Sequence, residues 1–128
     1  MELIPHNPTE GVYATGGDWV HAMEVRGAER FLFVSGTMGL DPAGAAGKDL
    51  DEQLELVWNN IRAILAGAGM TTDNIVRLTS YLRDVSYAQA NAAARLRALG
   101  ERRIPTTAIV AQTLEEEWLI ELEVVAAA

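Results

Sequence analysis

A chain of 128 residues, 49% of them apolar, has the length of one domain and is too apolar to be intrinsically disordered. Its formal charge of −8 at pH 7 disfavours binding to the phosphate backbone of nucleic acids and to anionic membrane surfaces. It has no cysteine, which excludes disulfides, thiolate nucleophiles and cysteine-ligated zinc.

The N-terminal third predicts an arm, a hairpin and a loop. Residues 1–16 are polar and contain two prolines and two glycines, so we expect an N-terminal arm. Residues 19–25 and 31–35 have strand composition and flank a turn at 26–29, which predicts a β-hairpin. Glycines and a proline in residues 39–48 predict a loop.

No segment predicts export or membrane insertion. The first 15 residues lack a basic region followed by an apolar run, and no apolar run reaches the roughly 18 residues that span a bilayer. We therefore expect a cytoplasmic protein that does not contact membranes.

An amphipathic helix is predicted after the loop. Its apolar residues recur at helical spacing: Leu50, Leu54, Val57, Trp58, Ile61, Ile64 and Leu65. Asp49 or Asp51 can cap its start, and Gly67 or Gly69 can end it.

The second half of the chain adds a strand, a helix and two strands. Residues 74–82 predict a strand, and an alanine-rich helix follows from Asp84 or Ser86 to Leu99. Residues 106–111, after Pro105, and residues 118–125, after an acidic turn, predict the last two strands.

The order of elements is ββαβαββ, which predicts one α+β domain over residues 17–128. Two helices cannot cover both faces of such a sheet, so we expect them on one face of a mixed sheet. The other face must then contact water or another subunit.

The last strand separates an apolar face from a charged face. Ile120, Leu122 and Val124 alternate with Glu121 and Glu123, so the apolar set belongs under the helices. The two carboxylates then lie roughly 7 Å apart on the helix-free face. With Trp19 and His21 in the first strand, this face fits a small-molecule pocket at a subunit interface.

Seven segments follow one another in a recognisable order and spacing: Phe33–Thr37, Gln53–Gly69, Asp73–Arg77, Arg83–Val85, Tyr87 with Ala88 and Asn91, Pro105, and Ile120–Glu123. Together they resemble the reactive-intermediate deaminase (Rid, or YjgF-like) family over residues 17–126. The resemblance implies a chorismate-mutase-like fold and a homotrimer with small-molecule sites in the clefts between subunits. It also implies hydrolysis of imines and enamines to a keto acid and ammonia, without metal or cofactor.

The resemblance assigns roles to individual residues. Glu121 corresponds to the glutamate that positions the attacking water. The substrate-binding positions correspond to Trp19, with His21 following in the same strand, to Ser35 and Gly36, and to Asn91. Three of these residues also have a purely structural interpretation. Glu121 would be a solvated carboxylate, Trp19 a packing aromatic ring, and Asn91 a hydrogen bonder at an interface.

One family residue is missing. The family has an arginine two positions after the proline, where it binds the substrate carboxylate; this chain has Thr107. Charge-assisted hydrogen bonds contribute about 1.5–3 kcal/mol each and neutral ones nearer 0.5–1.5, so affinity for a carboxylate should fall roughly a hundredfold or more. Arg102 and Arg103 precede the proline and are the sequence's candidate replacements, although they also suit a solvated helix end.

Three functions follow from these residues. The first is a Rid-like hydrolase in which Glu121 orients water, with activity on 2-imino acids weakened by Thr107. The second is a trimer that binds or senses a small molecule without catalysis. The third, an RNase or translation inhibitor, comes from the resemblance and is disfavoured by the acidic charge and the absence of a basic stripe. His6 and His21 have no metal-ligand spacing, so no metal site is expected.

Overall fold

The computed structural model, which describes residues 1–128, contains seven strands and two helices. In chain order they are β1 (Glu2–His6), β2 (Ala22–Arg26), β3 (Phe31–Phe33), β4 (Thr37–Met38), α1 (Leu50–Gly67), β5 (Ile75–Leu82), α2 (Ala88–Leu99), β6 (Thr106–Val110) and β7 (Ile120–Ala127).

β7 lies at the centre of the main sheet. It pairs antiparallel with β5 on one side and with both β3 and β4 on the other. β6 completes the sheet by pairing parallel with β5. β1 and β2 form a separate antiparallel pair. The predicted mixed sheet is therefore confirmed. Because β7 is central, its alternating side chains lie in the middle of the two faces.

Helix α1 begins where the sequence predicts. The Asp49 carboxylate accepts a hydrogen bond from the Glu52 backbone N–H at 2.9 Å, which pairs one of the free N–H groups of the first turn. Gly69 follows the helix with a φ of +70°, a conformation that glycine adopts without strain. The apolar stripe is buried except at its edges, since Leu50 is half-buried and Ile64 is exposed. Neither helix is long and apolar enough to cross a membrane.

Both helices cover the same face of the main sheet. The alternate β7 residues Ile120, Leu122 and Val124 are at most 1% exposed and belong to one core with residues of α1 and α2. Each such side chain contributes about 1.5–3 kcal/mol by its burial. The predicted division of β7 into an apolar and a charged face is confirmed, and Glu121 and Glu123 lie on the uncovered side.

The predicted hairpin between residues 19–25 and 31–35 is wrong. β2 pairs with β1, so part of the N-terminal arm is a strand, and β3 pairs with β7. The turn explains the difference, because the backbone N–H groups of Glu29 and Arg30 both donate to the Ala128 carbonyl. The chain that leaves this turn is thereby directed along β7 instead of back along β2.

Two amide side chains of α1 hold the loop that leads to β7 and the segment at the end of β4. The Gln53 amide nitrogen donates to the carbonyls of Gly47 and Glu117, and its oxygen accepts from the Leu119 N–H at 2.9 Å. Asn60 donates to the carbonyls of Met38 and Leu40. The Gln53 bonds to Glu117 and Leu119 fix where β7 starts, and thus where Glu121 lies.

Candidate functional site

The uncovered face of the main sheet carries the charged and aromatic side chains of the strands. Residues directly opposite one another in neighbouring strands share a face. Thr79 of β5 lies between Thr107 and Glu123, and Tyr81 lies opposite Glu121. Two clusters form along this face, one around Glu121 and one around Arg77.

Glu121 lies against the backbone of Gly36. A Cβ atom on residue 36 would overlap the Glu121 carboxylate, so only glycine leaves room for this orientation. The preceding residue, Ser35, is exposed, and its carbonyl accepts a hydrogen bond from the Thr37 hydroxyl at 2.9 Å. The structure therefore brings the predicted Ser35–Gly36 strand end into contact with the predicted glutamate.

A second carboxylate and a phenol flank Glu121. The Tyr81 hydroxyl donates to Glu123 Oε1 at 2.9 Å. This bond, and the negative charges of Glu123 and Glu121, raise the pKa of Tyr81 above its ordinary value of 10.0. We call Gly36, Tyr81, Glu121 and Glu123 the glutamate half-site; they line a depression of about 220 Å³.

The segment between β6 and β7 closes one side of this depression through Gln112, Thr113 and Leu114. Arg83, just after β5, holds the segment in place. Its guanidinium donates to the Thr113 hydroxyl at 2.7 Å and to the Thr113 carbonyl at 2.9 Å. The Leu114 side chain is 90% exposed and projects from the rim.

The other cluster surrounds Arg77. Its guanidinium donates to the Thr107 hydroxyl at 3.0 Å, across the parallel pair of β5 and β6. Arg77 also lines a depression of about 360 Å³ with His21 and Pro105. We call His21, Arg77, Pro105 and Thr107 the arginine half-site.

The sequence predicts Trp19 and His21 within a strand, but they lie just before β2, because the regular pairing starts at Ala22. Their rings meet edge to face with centroids 5.3 Å apart. The His21 ring nitrogen Nε2 bonds to the Tyr13 carbonyl at 2.7 Å. The segment is anchored to α2, because the buried Arg95 guanidinium bonds to the Asp18 carbonyl and carboxylate.

One chain does not bring all the predicted site residues together. Two strand spacings and two residues along the strand separate Glu121 from Thr107, which puts their Cα atoms about 12 Å apart. Asn91 is 5% exposed in α2, on the helix-covered side of the sheet. A small ligand cannot touch Glu121, Thr107 and Asn91 of the same chain at once.

Neither arginine that the sequence offers as a replacement is free. Arg102 donates to the carbonyls of Thr72 and Ile75, and burial lowers the pKa of its guanidinium. Arg103 donates to the carbonyls of Gly17, Gly100 and Arg102. The sequence alone does not indicate a site role for Arg77, since its position beside Thr107 depends on the register between β5 and β6.

The largest depression, about 640 Å³, lies between the β3–β4 edge and the end of α1. Two of its polar side chains are already paired within the chain. Asn60 donates to two backbone carbonyls, and Asp41 accepts from the N–H groups of Ala43 and Ala45. The charged side chains of the main sheet, Arg77, Glu121 and Glu123, lie in the two half-sites instead. No group of three or more His, Asp or Glu side chains is placed to hold a metal ion.

Comparisons with known proteins agree with the fold and with the family resemblance. The family model described as Endoribonuclease L-PSP matches residues 11–128. A RutC family protein of Pyrococcus horikoshii is 33% identical over 102 residues, covering 77% of this chain and 80% of that protein. A RutC family protein of Aquifex aeolicus is 39% identical over 70 residues, about half the length of each chain.

A solved structure matches over the whole length. It is a protein of unknown function of the conserved Rid protein family, YyfB from Yersinia pestis. The TM-score is 0.86 at 28% identity, and the alignment covers 100% of both chains.

Proposed function

This chain belongs to the Endoribonuclease L-PSP family, which includes the Rid proteins, and we propose that it hydrolyses small imines or enamines in a cleft between subunits. Family membership supports a Rid-type function broadly, and the arrangement around Glu121 supports the hydrolytic one. Fold alone does not define an activity, so the proposal rests on this site.

The observation that carries the proposal is the contact of the Glu121 carboxylate with the backbone of Gly36. The carboxylate is half-buried, has no cationic partner, and faces a depression of about 220 Å³ that admits a small molecule. A carboxylate that is free to accept a proton, at hydrogen-bonding distance from a bound water, can act as a general base.

The reaction adds water across the C=N bond of an imine. The water oxygen bonds to the imine carbon while Glu121 accepts one of the water's protons. Return of that proton to nitrogen gives a carbinolamine. Transfer of its remaining hydroxyl proton to nitrogen as the C–N bond breaks then releases ammonia and forms the C=O bond of a carbonyl compound. The whole reaction consumes one imine and one water and needs no oxidant, reductant or metal.

The cleft in this proposal contains the glutamate half-site of one subunit and the arginine half-site of another. The distance of about 12 Å between Glu121 and Thr107 within one chain supports two contributing subunits. Exposed Phe31, Phe33 and Ile109 on the same face of the sheet supply the apolar surface that a subunit interface requires. We propose the homotrimer as the functional assembly.

A second candidate is a trimer that binds a small molecule without turnover. The observation in its favour is Thr107, because the family's carboxylate-binding arginine is absent from that position. A ligand recovered chemically unchanged after long incubation with the wild-type protein would support this candidate.

The family model's description as an endoribonuclease does not suit the charge of this chain. With a net charge of −8 and two glutamates at the proposed site, phosphate groups are repelled. We expect no salt-sensitive binding of single-stranded RNA at physiological ionic strength.

The test is an imine-hydrolysis assay. An amino-acid oxidase generates imines continuously, semicarbazide traps those that remain, and the rate of trapping is followed with and without the protein. We expect wild type to slow trapping and Glu121→Gln to lower kcat by at least about a hundredfold, since this exchange removes the general base and keeps the side-chain shape.

The matched control is Glu116→Gln, an exposed glutamate in the acidic turn with no contact to the site. It should retain wild-type kcat. Equal activity of Glu121→Gln and wild type on a turned-over imine would contradict the proposed role of Glu121.

A further inference from the structure

Arg77 is the only Lys or Arg in the five strands of the main sheet. It is exposed on the helix-free face, and no carboxylate lies within salt-bridge distance of it. Its side chain makes one hydrogen bond, to the Thr107 hydroxyl at 3.0 Å. Most of the five N–H groups of this guanidinium are therefore available to a ligand.

Thr107 is oriented by the same bond. Its hydroxyl oxygen accepts from Arg77, so its own O–H proton stays free to donate. The pair thus presents charged N–H donors and a neutral O–H donor to the same space. A carboxylate, with two acceptor oxygens and a negative charge, matches that set of donors.

From this geometry we infer that Arg77, assisted by the Thr107 hydroxyl, binds the carboxylate of the substrate, which makes carboxylate-bearing imines the substrate class. The assignment of imines as substrates rests on the proposed hydrolytic function. The binding of a carboxylate by Arg77 does not. Arg77 supplies from β5 the guanidinium that residue 107 of β6 lacks, and the two residues stay together in whichever subunit lines the cleft.

The charge balance of the site changes accordingly. The two glutamates of the glutamate half-site disfavour an anionic ligand, and Arg77 offsets that repulsion. An arginine introduced at residue 107 beside Arg77 would place two guanidinium groups in contact, so Thr107→Arg alone should not improve carboxylate binding. The double variant Arg77→Thr/Thr107→Arg moves the guanidinium from β5 to β6 and should preserve carboxylate binding.

The first experiment measures binding without catalysis. Pyruvate and methyl pyruvate differ in the negative charge that Arg77 would bind, and their dissociation constants are measured by calorimetry at pH 7. We expect wild type to prefer pyruvate, and Arg77→Gln to reduce that preference by about tenfold or more, as for the loss of a charge-assisted hydrogen bond.

The control is Arg97→Gln, which removes an equal charge from an exposed position on α2. It should keep the wild-type preference, and circular dichroism checks that each variant is folded. The same preference in Arg77→Gln as in wild type, or no preference for pyruvate in wild type, would overturn the assignment.

The second experiment separates this inference from the proposed function. The double variant Arg77→Thr/Thr107→Arg should recover pyruvate preference that Arg77→Thr loses, and a failure to recover it contradicts the inference. Turnover is then compared for imines of an amino acid and of a simple amine. Arg77-dependent pyruvate binding without hydrolysis by wild type would refute the hydrolase and support Arg77 as the anion-binding residue.

Discussion

The orientation of Glu121 depends on the absence of one side chain. Gly36 makes no unusual turn, and its φ is not positive, so its importance is steric. The carboxylate of Glu121 occupies the volume that a Cβ at residue 36 would need. A single methyl group at this position must move the carboxylate.

We therefore expect Gly36→Ala to lower kcat on a turned-over imine by about tenfold to a hundredfold, because displacement of a catalytic group by about 1 Å has an effect of this size. The measurement is steady-state kinetics with a melting curve for each variant. Gly67→Ala is the control, since a Cβ there meets no atom within 4 Å. Unchanged kcat in Gly36→Ala would show that Glu121 does not need its present orientation.

Tyr81 provides a pH-dependent signature of the glutamate half-site. The neutral phenol donates to Glu123, whereas the phenolate would face that carboxylate as a like charge, so the folded-state pKa is raised. The Tyr81–Glu123 bond therefore stabilises the folded state. This stabilisation is fully present below the unfolded-state pKa of tyrosine, near 10, and is lost as the pH rises through the folded-state pKa of Tyr81.

Ultraviolet titration of wild type minus Tyr81→Phe isolates this ionisation. We expect Glu123→Gln to shift it to lower pH, because the exchange removes the negative charge. An ionisation at the same pH in Glu123→Gln would show that Glu123 does not cause the raised pKa.

At the scale of elements, helix α1 positions the site although it contributes no side chain to either half-site. Gln53 and Asn60 bond to the backbone of the segments that precede β7 and follow β4. Both segments adjoin the glutamate half-site, since Glu121 lies in β7 opposite Met38, and Gly36 directly precedes β4. The start of α1 is thus a point at which local helix stability affects site geometry.

Asp49→Ala should lower the free energy of unfolding by about 1 kcal/mol, the usual effect of removing an N-cap. Urea denaturation measures it. Asp51→Ala is matched to it, because Asp51 is an exposed first-turn carboxylate without a capping bond, and should cost only a few tenths of a kcal/mol. Equal losses in the two variants would contradict the capping role of Asp49.

At the scale of the whole molecule, the helix-free face is too apolar for a surface that only contacts water. Phe33 is 76% exposed, and Phe31 and Ile109 are about half exposed on the same face. Burial of such side chains between chains contributes about 1.5–3 kcal/mol each. The same face carries the two half-sites that a single chain keeps apart.

Light scattering should give wild type a mass about three times the 13.9 kDa of one chain. Phe33→Lys should shift the mass towards 13.9 kDa, because it places a charge in the proposed interface. Val85→Lys adds the same charge at a residue that is 73% exposed, away from the main sheet, and should leave the mass unchanged. A monomeric wild type would refute the proposed trimer.

Short-range sequence patterns predicted much of this structure. Helix α1, its Asp49 cap and the two faces of β7 follow from residue periodicity and capping chemistry, which depend on neighbours within a few positions. The order of motifs also identified the family, and it gave Glu121 with Ser35 and Gly36 as neighbours in the site.

Long-range pairing had to come from the tertiary structure. Strand composition is similar whichever partner a strand has, so the sequence did not show that β3 pairs with β7 instead of β2. The parallel register of β5 and β6 places Arg77 beside Thr107, 30 residues away, and the same fold commits Arg102 and Arg103 to backbone carbonyls. The sequence thus determined which chemical groups the chain has, and the tertiary structure decided which of them meet, because side-chain contacts depend on strand register and not on separation along the chain.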